Sequence, residues 1–152
     1  MRSVLSMALL LVAGCGDPFA TPGYSMAGTW TVLQTFVYED NGGGSGVAFI
    51  KSCAGPTTAT LKEDNSGNIT GTIEGLVTCV NSDGTRAPNH NASAKMSGTQ
   101  YDRDISLFGG AGAGNVCWSL TGTMTTPTTA EGTISAACGW TSAHGTWSAT
   151  RK

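Results

Sequence analysis

Alternation of apolar and polar residues is the feature that most constrains the fold of this chain. In GTWTVLQTFVY (28–38), Trp30, Val32 and Phe36 share one face, and threonines occupy the other. A period of two residues is typical of a β-strand with one face on a core and one in water. It predicts an all-β domain. The pattern occurs eight times, at residues 28–38, 47–63, 69–80, 91–100, 103–109, 115–125, 130–138 and 144–151.

Hairpin-length connections between these segments predict an eight-stranded antiparallel up-and-down β-barrel, because closure leaves no free strand edge. The second segment is interrupted at Gly55-Pro56, which indicates a β-bulge. Alternate connections of a meander lie at the same end. The short ones (64–68, 101–102, 126–129) define a short-turn end, where both termini are expected. The long ones define a looped end, and they are 39–46, 81–90, 109–114 and 139–143.

The N-terminal residues have the features of an export signal. Basic Arg2 precedes an apolar run over residues 4–13, which is shorter than the roughly 20 residues of a membrane span but typical of a signal peptide. The stretch Val12-Ala13-Gly14-Cys15 resembles the lipobox of bacterial lipoproteins. That resemblance implies transfer of a diacylglycerol to the Cys15 thiol, cleavage before Cys15 and acylation of the new amine, with a lipid bilayer as partner. Gly16, where an aspartate would signal inner-membrane retention, favours the outer membrane.

These features divide the chain into three parts. Residues 1–14 form a lipoprotein signal peptide, residues 15–27 form a lipidated flexible tether, and residues 28–152 form the barrel domain. The tether is rich in proline and glycine and has no periodic pattern, which is typical of a linker. Because it joins the barrel at the short-turn end, the looped end is expected to face away from the membrane.

Residues at the two ends of the predicted barrel carry a second resemblance. Gly28-Thr29-Trp30 opens the first strand, and Arg151 ends the last. This arrangement resembles the calycin pattern of lipocalins and avidins. The resemblance implies that Trp30 plugs the closed end of the barrel and that Arg151 lies across it. Closure brings the first and last strands together, so a cation–π contact between Arg151 and Trp30 is expected.

Four cysteines remain once Cys15 is assigned to lipid, and an even number in an exported domain predicts two disulfides. Three connectivities are possible for the four, which are Cys53, Cys79, Cys117 and Cys138. A hairpin that turns at residues 65–67 places Cys53 opposite Cys79, so this pair is predicted. Each disulfide is expected to contribute about 2–4 kcal/mol to the free energy of unfolding.

The second pair, Cys117–Cys138, follows only by exclusion. A register that pairs Trp118 with Ala136 places Cys117 and Cys138 one residue out of alignment. The pair therefore requires a bulge near Ala137 or Gly139, or a different connectivity.

The search for catalytic or nucleic-acid chemistry is negative. Charged residues are 12% of the chain, the net charge is −2 and no basic patch exists to neutralise phosphates. The glycines of 109–114 lack the Lys-Ser/Thr of a phosphate loop, no GxSxG occurs, and His90 and His144 are not at metal-ligand spacing. Acidic residues at strand ends indicate turns. We therefore expect neither an enzyme, nor a cofactor, nor a nucleic-acid partner.

Binding is the remaining class of function. An eight-stranded barrel is either filled by side chains or just wide enough for one small ligand. One interpretation is a filled core. The other is a cavity at the looped end for a small apolar or amphipathic molecule, lined by Phe36, Tyr38, Trp118 and Trp140. Two alternatives stay open: a module that binds an extracellular protein or inhibits an enzyme through its loops, and a structural envelope lipoprotein.

Overall fold

The computed structural model describes residues 23–39, 50–110, 118–138 and 141–152. Within them the chain forms eight strands, each antiparallel to its neighbours in sequence, and β8 pairs with β1 to close the barrel. The predicted fold is confirmed. The strands are β1 (Gly28–Glu39), β2 (Ile50–Glu63), β3 (Asn68–Asn81), β4 (His90–Tyr101), β5 (Asp104–Gly110), β6 (Trp118–Thr126), β7 (Thr129–Cys138) and β8 (Thr141–Arg151). In the part of the chain so described, no helix has the length and apolar character needed to cross a membrane.

The barrel closes with a stagger. A path of paired residues that leaves β1 at Gly28 returns to β1 at Tyr38, near the other end of the same strand. It passes through Leu61, Gly71, Met96, Gly109, Trp118, Ala136 and Ala143. Such a stagger requires strands that are tilted, typically by about 35–45° from the barrel axis.

The lengths of the connections follow the predicted alternation except at the last one, where only residues 139–140 separate β7 from β8. Residues 64–67, 102–103 and 127–128 join strands at the short-turn end, and residues 82–89 join β3 to β4 at the looped end. The strand bounds leave residues 40–49 between β1 and β2 and residues 111–117 between β5 and β6, and both segments lie outside the described residues. The predicted connection 139–143 is too long, because β8 begins at Thr141. The described ends of the chain also lie at the short-turn end, where the Lys152 amide donates a hydrogen bond to the Thr29 carbonyl at 2.9 Å.

The interruption at Gly55-Pro56 is not a bulge, so that prediction is wrong. The β2–β3 register is the same on both sides of it, where Ala54 pairs with Thr78 and Thr58 pairs with Glu74. Residues 55–57 have no partners in β3, and proline has no amide hydrogen for a ladder. The register of this hairpin shifts instead between Ile50 and Ser52.

The predicted disulfide between Cys53 and Cys79 is confirmed. The two residues lie directly opposite each other in the β2–β3 ladder, and both side chains are buried. The disulfide therefore joins adjacent strands inside the barrel, near the looped end.

Cys117 lies outside the described residues, so its bond to Cys138 stays a prediction. The register that pairs Trp118 with Ala136 is confirmed. Ala137 keeps a regular pairing with Ser142, and the β6–β7 irregularity lies between Met124 and Thr126. The β6–β7 ladder is described only as far as the pair of Trp118 and Ala136, so a bulge near Ala137 or Gly139 that would align the second pair stays a prediction.

The short-turn end is covered by residues 24–27, which precede β1. Met26 is 2% exposed, its amide donates to Glu63 Oε2 at 2.8 Å and to Gln100 Oε1 at 2.9 Å, and its carbonyl accepts from Trp30 Nε1 at 2.9 Å. Residues 24–27 of the predicted tether are thus packed against the barrel, and 15–22 lie outside the described residues. Gly28 joins this plug to β1 with φ +125°, a conformation that favours glycine.

Arg151 completes the closed end. It is paired with Trp30 across β8 and β1, and its Cζ lies 4.8 Å from the centroid of the fully buried Trp30 ring. The expected cation–π contact is therefore present. The guanidinium also donates a hydrogen bond to the Ser25 carbonyl, which ties the plug to the last strand.

The interior is packed most extensively in the short-turn half. On β1, the inward side chains of Trp30, Val32 and Gln34 are buried, whereas those of Phe36 and Tyr38 are half-buried. The main core lies in the short-turn half and includes Ile69, Ile105, Leu107, Leu120, Met124 and Trp147. Full burial of such side chains stabilises a fold by about 1.5–3 kcal/mol each. The filled-core interpretation therefore holds for the short-turn half, whereas the looped half combines a smaller buried cluster, Cys53, Val77, Cys79 and Ala87, with open space.

Candidate ligand-binding site

A cavity of about 320 Å³ occupies the looped half of the barrel. Its lining residues are Gln34, Phe36, Tyr38, Cys53, Ile73, Val77, Asn91, Ala92, Ser93, Ala94, Trp118, Ile134, Ala136 and Ala143. Ligand pockets typically have volumes of about 300–1,000 Å³, and an engineered cavity of about 150 Å³ binds benzene. The volume therefore suits one small molecule, about the size of two fused rings.

Small inward residues create this cavity. Ala94 on β4, Ala136 on β7 and Ala143 on β8 line it, whereas Met96 on β4 and Trp147 on β8 lie deeper on the inward faces of two of these strands and belong to the packed core. Protein interiors are otherwise close-packed. The space is thus a consequence of side-chain size at the looped end.

The floor of the cavity is formed by Gln34, Ile73 and Ile134. Each is the lining residue of its strand that lies nearest the short-turn end, and each is buried. Two of the three are apolar, so Gln34 is the polar group at the deep end of the cavity.

Aromatic side chains form two of the walls. Phe36 and Tyr38 follow each other on the inward face of β1, with ring centroids 5.6 Å apart in an edge-to-face arrangement. Trp118 on β6 lies against Gly109 of β5, where an added Cβ would come within 2.4 Å of the indole ring. A side chain at position 109 would therefore clash with this ring in its present position.

Three of the four predicted ligand-binding residues line the same cavity: Phe36, Tyr38 and Trp118. Trp140 lies outside the described residues. Sequence reasoning missed Gln34 and the lining alanines. Gln34 lies between Val32 and Phe36 on the inward face of β1, where a polar residue interrupts an apolar series. This interruption is the only feature of the sequence that points to Gln34.

Charged groups lie away from the cavity, and none occurs among the lining residues that the structure describes. Glu39 pairs with His144 on the outer face, with 3.2 Å between Oε1 and Nδ1. Glu63 holds the plug. Asp64 serves the β2–β3 turn, where hydrogen bonds from the Asn68 side chain and from the amides of Asn68 and Ser66 lower its pKa. The cavity thus offers apolar, aromatic and neutral polar contacts.

Metal-binding geometry is also absent from the described ranges, because they hold no group of three or more histidine, cysteine, aspartate or glutamate side chains placed around a common ion.

The fold and the site together define a closed eight-stranded antiparallel β-barrel with an internal cavity at one end. No protein-family model matches the chain, and a search of curated proteins found no relative. A solved structure described as "Structure of EF1p2_mFAP2b bound to DFHBI" is similar to it, with 14% sequence identity and a TM-score of 0.44. The similarity covers 83% of this chain and 93% of that chain. It says nothing about what this chain binds.

Proposed function

We propose that this protein is an exported bacterial lipoprotein with a calycin-like barrel that binds one small, mostly apolar molecule. Acylated Cys15 anchors it in the cell envelope, in the outer membrane, and the ligand occupies the cavity at the looped end. The role is binding and not catalysis. The observation that carries the binding role is the apolar cavity of about 320 Å³ above a tightly packed core.

The construction of the cavity supports this role. Voids much larger than a water molecule are few in protein interiors, so one lined by three aromatic rings and several alanines is typical of a ligand site. The Cys53–Cys79 disulfide joins β2 and β3 in its wall. The walls of the cavity belong to strands of a closed barrel, so the cavity is present before a ligand binds.

The two ends of the barrel support the proposed orientation. Residues 24–27 fasten the N-terminal side of the domain to the short-turn end through Met26 and Arg151, whereas the cavity is at the other end. A chain anchored through Cys15 then presents its cavity away from the membrane.

A matched pair of substitutions tests the binding role. Ala136 lines the cavity, and its neighbour Ala137 is exposed on the outer face of the same strand. Ala136→Leu should fill the cavity and weaken binding of 2-naphthol, a neutral two-ring probe, at least tenfold, whereas Ala137→Leu should leave it unchanged. The measurement is calorimetric titration of the full chain in detergent. Failure of the unsubstituted protein to bind, or equal binding by both variants, would contradict the proposal.

Fatty-acid labelling tests the anchor. In bacteria that produce the full chain, a palmitate analogue should label the protein, and Cys15→Ser should abolish the label while leaving the barrel folded. Labelling that survives Cys15→Ser, or no labelling of the unsubstituted chain, would show that Cys15 is not acylated.

A further inference from the structure

Two glutamines face the barrel interior, and they differ in how their amides are used. Gln34 is 7% exposed and Gln100 is 8% exposed. Gln100 lies at the short-turn end, where its Oε1 accepts a hydrogen bond from the Met26 amide at 2.9 Å and its Nε2 donates to the Asp102 carbonyl at 2.8 Å. Gln34 makes no hydrogen bond to any residue in the described ranges. One glutamine is therefore a structural bridge, and the amide of the other is not bonded by any residue that the structure describes.

The neighbours of Gln34 explain why its amide has no partner. Across the ladders it faces Gly55 on β2 and Trp147 on β8. Glycine has no side chain, and Trp147 Nε1 already donates to the Thr133 carbonyl at 3.1 Å and to the Thr121 carbonyl at 3.3 Å. Ile73 and Ile134, which line the floor of the cavity with Gln34, have only apolar side chains. The amide of Gln34 is thus directed to the cavity.

Gln34 is a buried residue that borders the cavity, and no described protein group bonds to its amide, so water or a ligand in the cavity must supply the hydrogen bonds of that amide. We propose that Gln34 is the residue that selects the ligand, and that the ligand is a neutral molecule with an apolar body and one hydroxyl or carbonyl group. The polar group enters first and bonds to the Gln34 amide, and the body lies among Phe36, Tyr38 and Trp118. This inference rests on the proposed binding function and specifies the class of ligand.

The same geometry excludes ionised ligands. A carboxylate, phosphate or ammonium group at the floor would lose its hydration, and no charged side chain among the described lining residues would compensate for it. An amide both donates and accepts hydrogen bonds, so Gln34 accommodates either a hydroxyl or a carbonyl. The cavity therefore selects ligands that carry an uncharged polar group at one end.

Two probes that differ by one hydroxyl test the inference, 2-naphthol and naphthalene. Calorimetric titrations compare the full chain with Gln34→Met, which removes the amide and keeps the length of the side chain. For each probe, the ratio of affinities between the two proteins cancels partition of the probe into detergent. Gln34→Met should weaken binding of 2-naphthol about 3- to 10-fold, the value of one neutral hydrogen bond, and should not weaken binding of naphthalene.

A charged probe and two further variants complete the experiment. The unsubstituted protein should bind 2-naphthoate at least tenfold more weakly than 2-naphthol. Gln34→Leu should repeat the effect of Gln34→Met, and Gln100→Met should leave the affinities for 2-naphthol and naphthalene in the same ratio as before. Equal effects of Gln34→Met on both neutral probes would overturn the role of Gln34 and leave the binding function in place. Failure of the unsubstituted protein to bind any of the probes would overturn both.

Discussion

A buried polar side chain contributes to stability only through the partners of its polar atoms, and the two inward glutamines show both cases. Gln100→Met should lower the free energy of unfolding by about 1–3 kcal/mol, because the Asp102 carbonyl loses a donor and the Met26 amide keeps only Glu63 as its acceptor. Gln34→Met should leave this free energy nearly unchanged or raise it. Urea unfolding of the two variants measures the difference. Equal losses would mean that Gln34 has a structural partner after all.

Single residues were predictable from the sequence where a pattern singled them out. Trp30 and Arg151 could be paired because each occupies an end strand of a closing barrel, and the structure places them in contact. Gln34 could not be recognised, because one polar residue in an apolar series is also what a structural glutamine such as Gln100 looks like. Only the hydrogen-bond partners separate the two.

The β2–β3 hairpin is the element on which the cavity wall depends. Its strands are joined by the Cys53–Cys79 disulfide, which encloses a chain segment of sequence separation 26. Replacing both cysteines by alanine should lower the free energy of unfolding by about 3 kcal/mol, chiefly because the unfolded chain gains freedom. Urea unfolding under non-reducing conditions is the measurement, with a reduced sample of the unsubstituted chain as the comparison. A double variant as stable as the oxidised protein would contradict this.

Strands were the elements most open to prediction, because a period of two residues is a signal repeated along each one. The errors occurred where a local signal was given too much weight. Gly55-Pro56 has the composition of a bulge, yet β1 pairs with both residues and keeps the strand continuous. The start of β8 was placed too late because Thr141-Ser142-Ala143 is a short stretch that reads equally well as loop or strand.

At the scale of the whole molecule, the barrel has two unlike ends. The short-turn end is plugged by Met26 and bridged by Arg151, and the looped end contains the cavity. Closure could be predicted from the number of strands and the alternation of their connections. The hollow half could not, because it depends on the summed volumes of inward residues from several strands. Each lining alanine also fits a filled barrel, and together they leave about 320 Å³.

The central claim is that a small molecule binds inside the looped half, and alanine methyl groups report on it directly. Those of Ala92, Ala94, Ala136 and Ala143 line the cavity, whereas those of Ala59, Ala130 and Ala149 are buried in the packed half. The measurement is nuclear Overhauser contact between bound 2-naphthol and the methyl groups of the ¹³C-alanine-labelled full chain. The account predicts contacts to the four lining methyls and none to the three core methyls. Bound probe that contacts none of the lining methyls would contradict it.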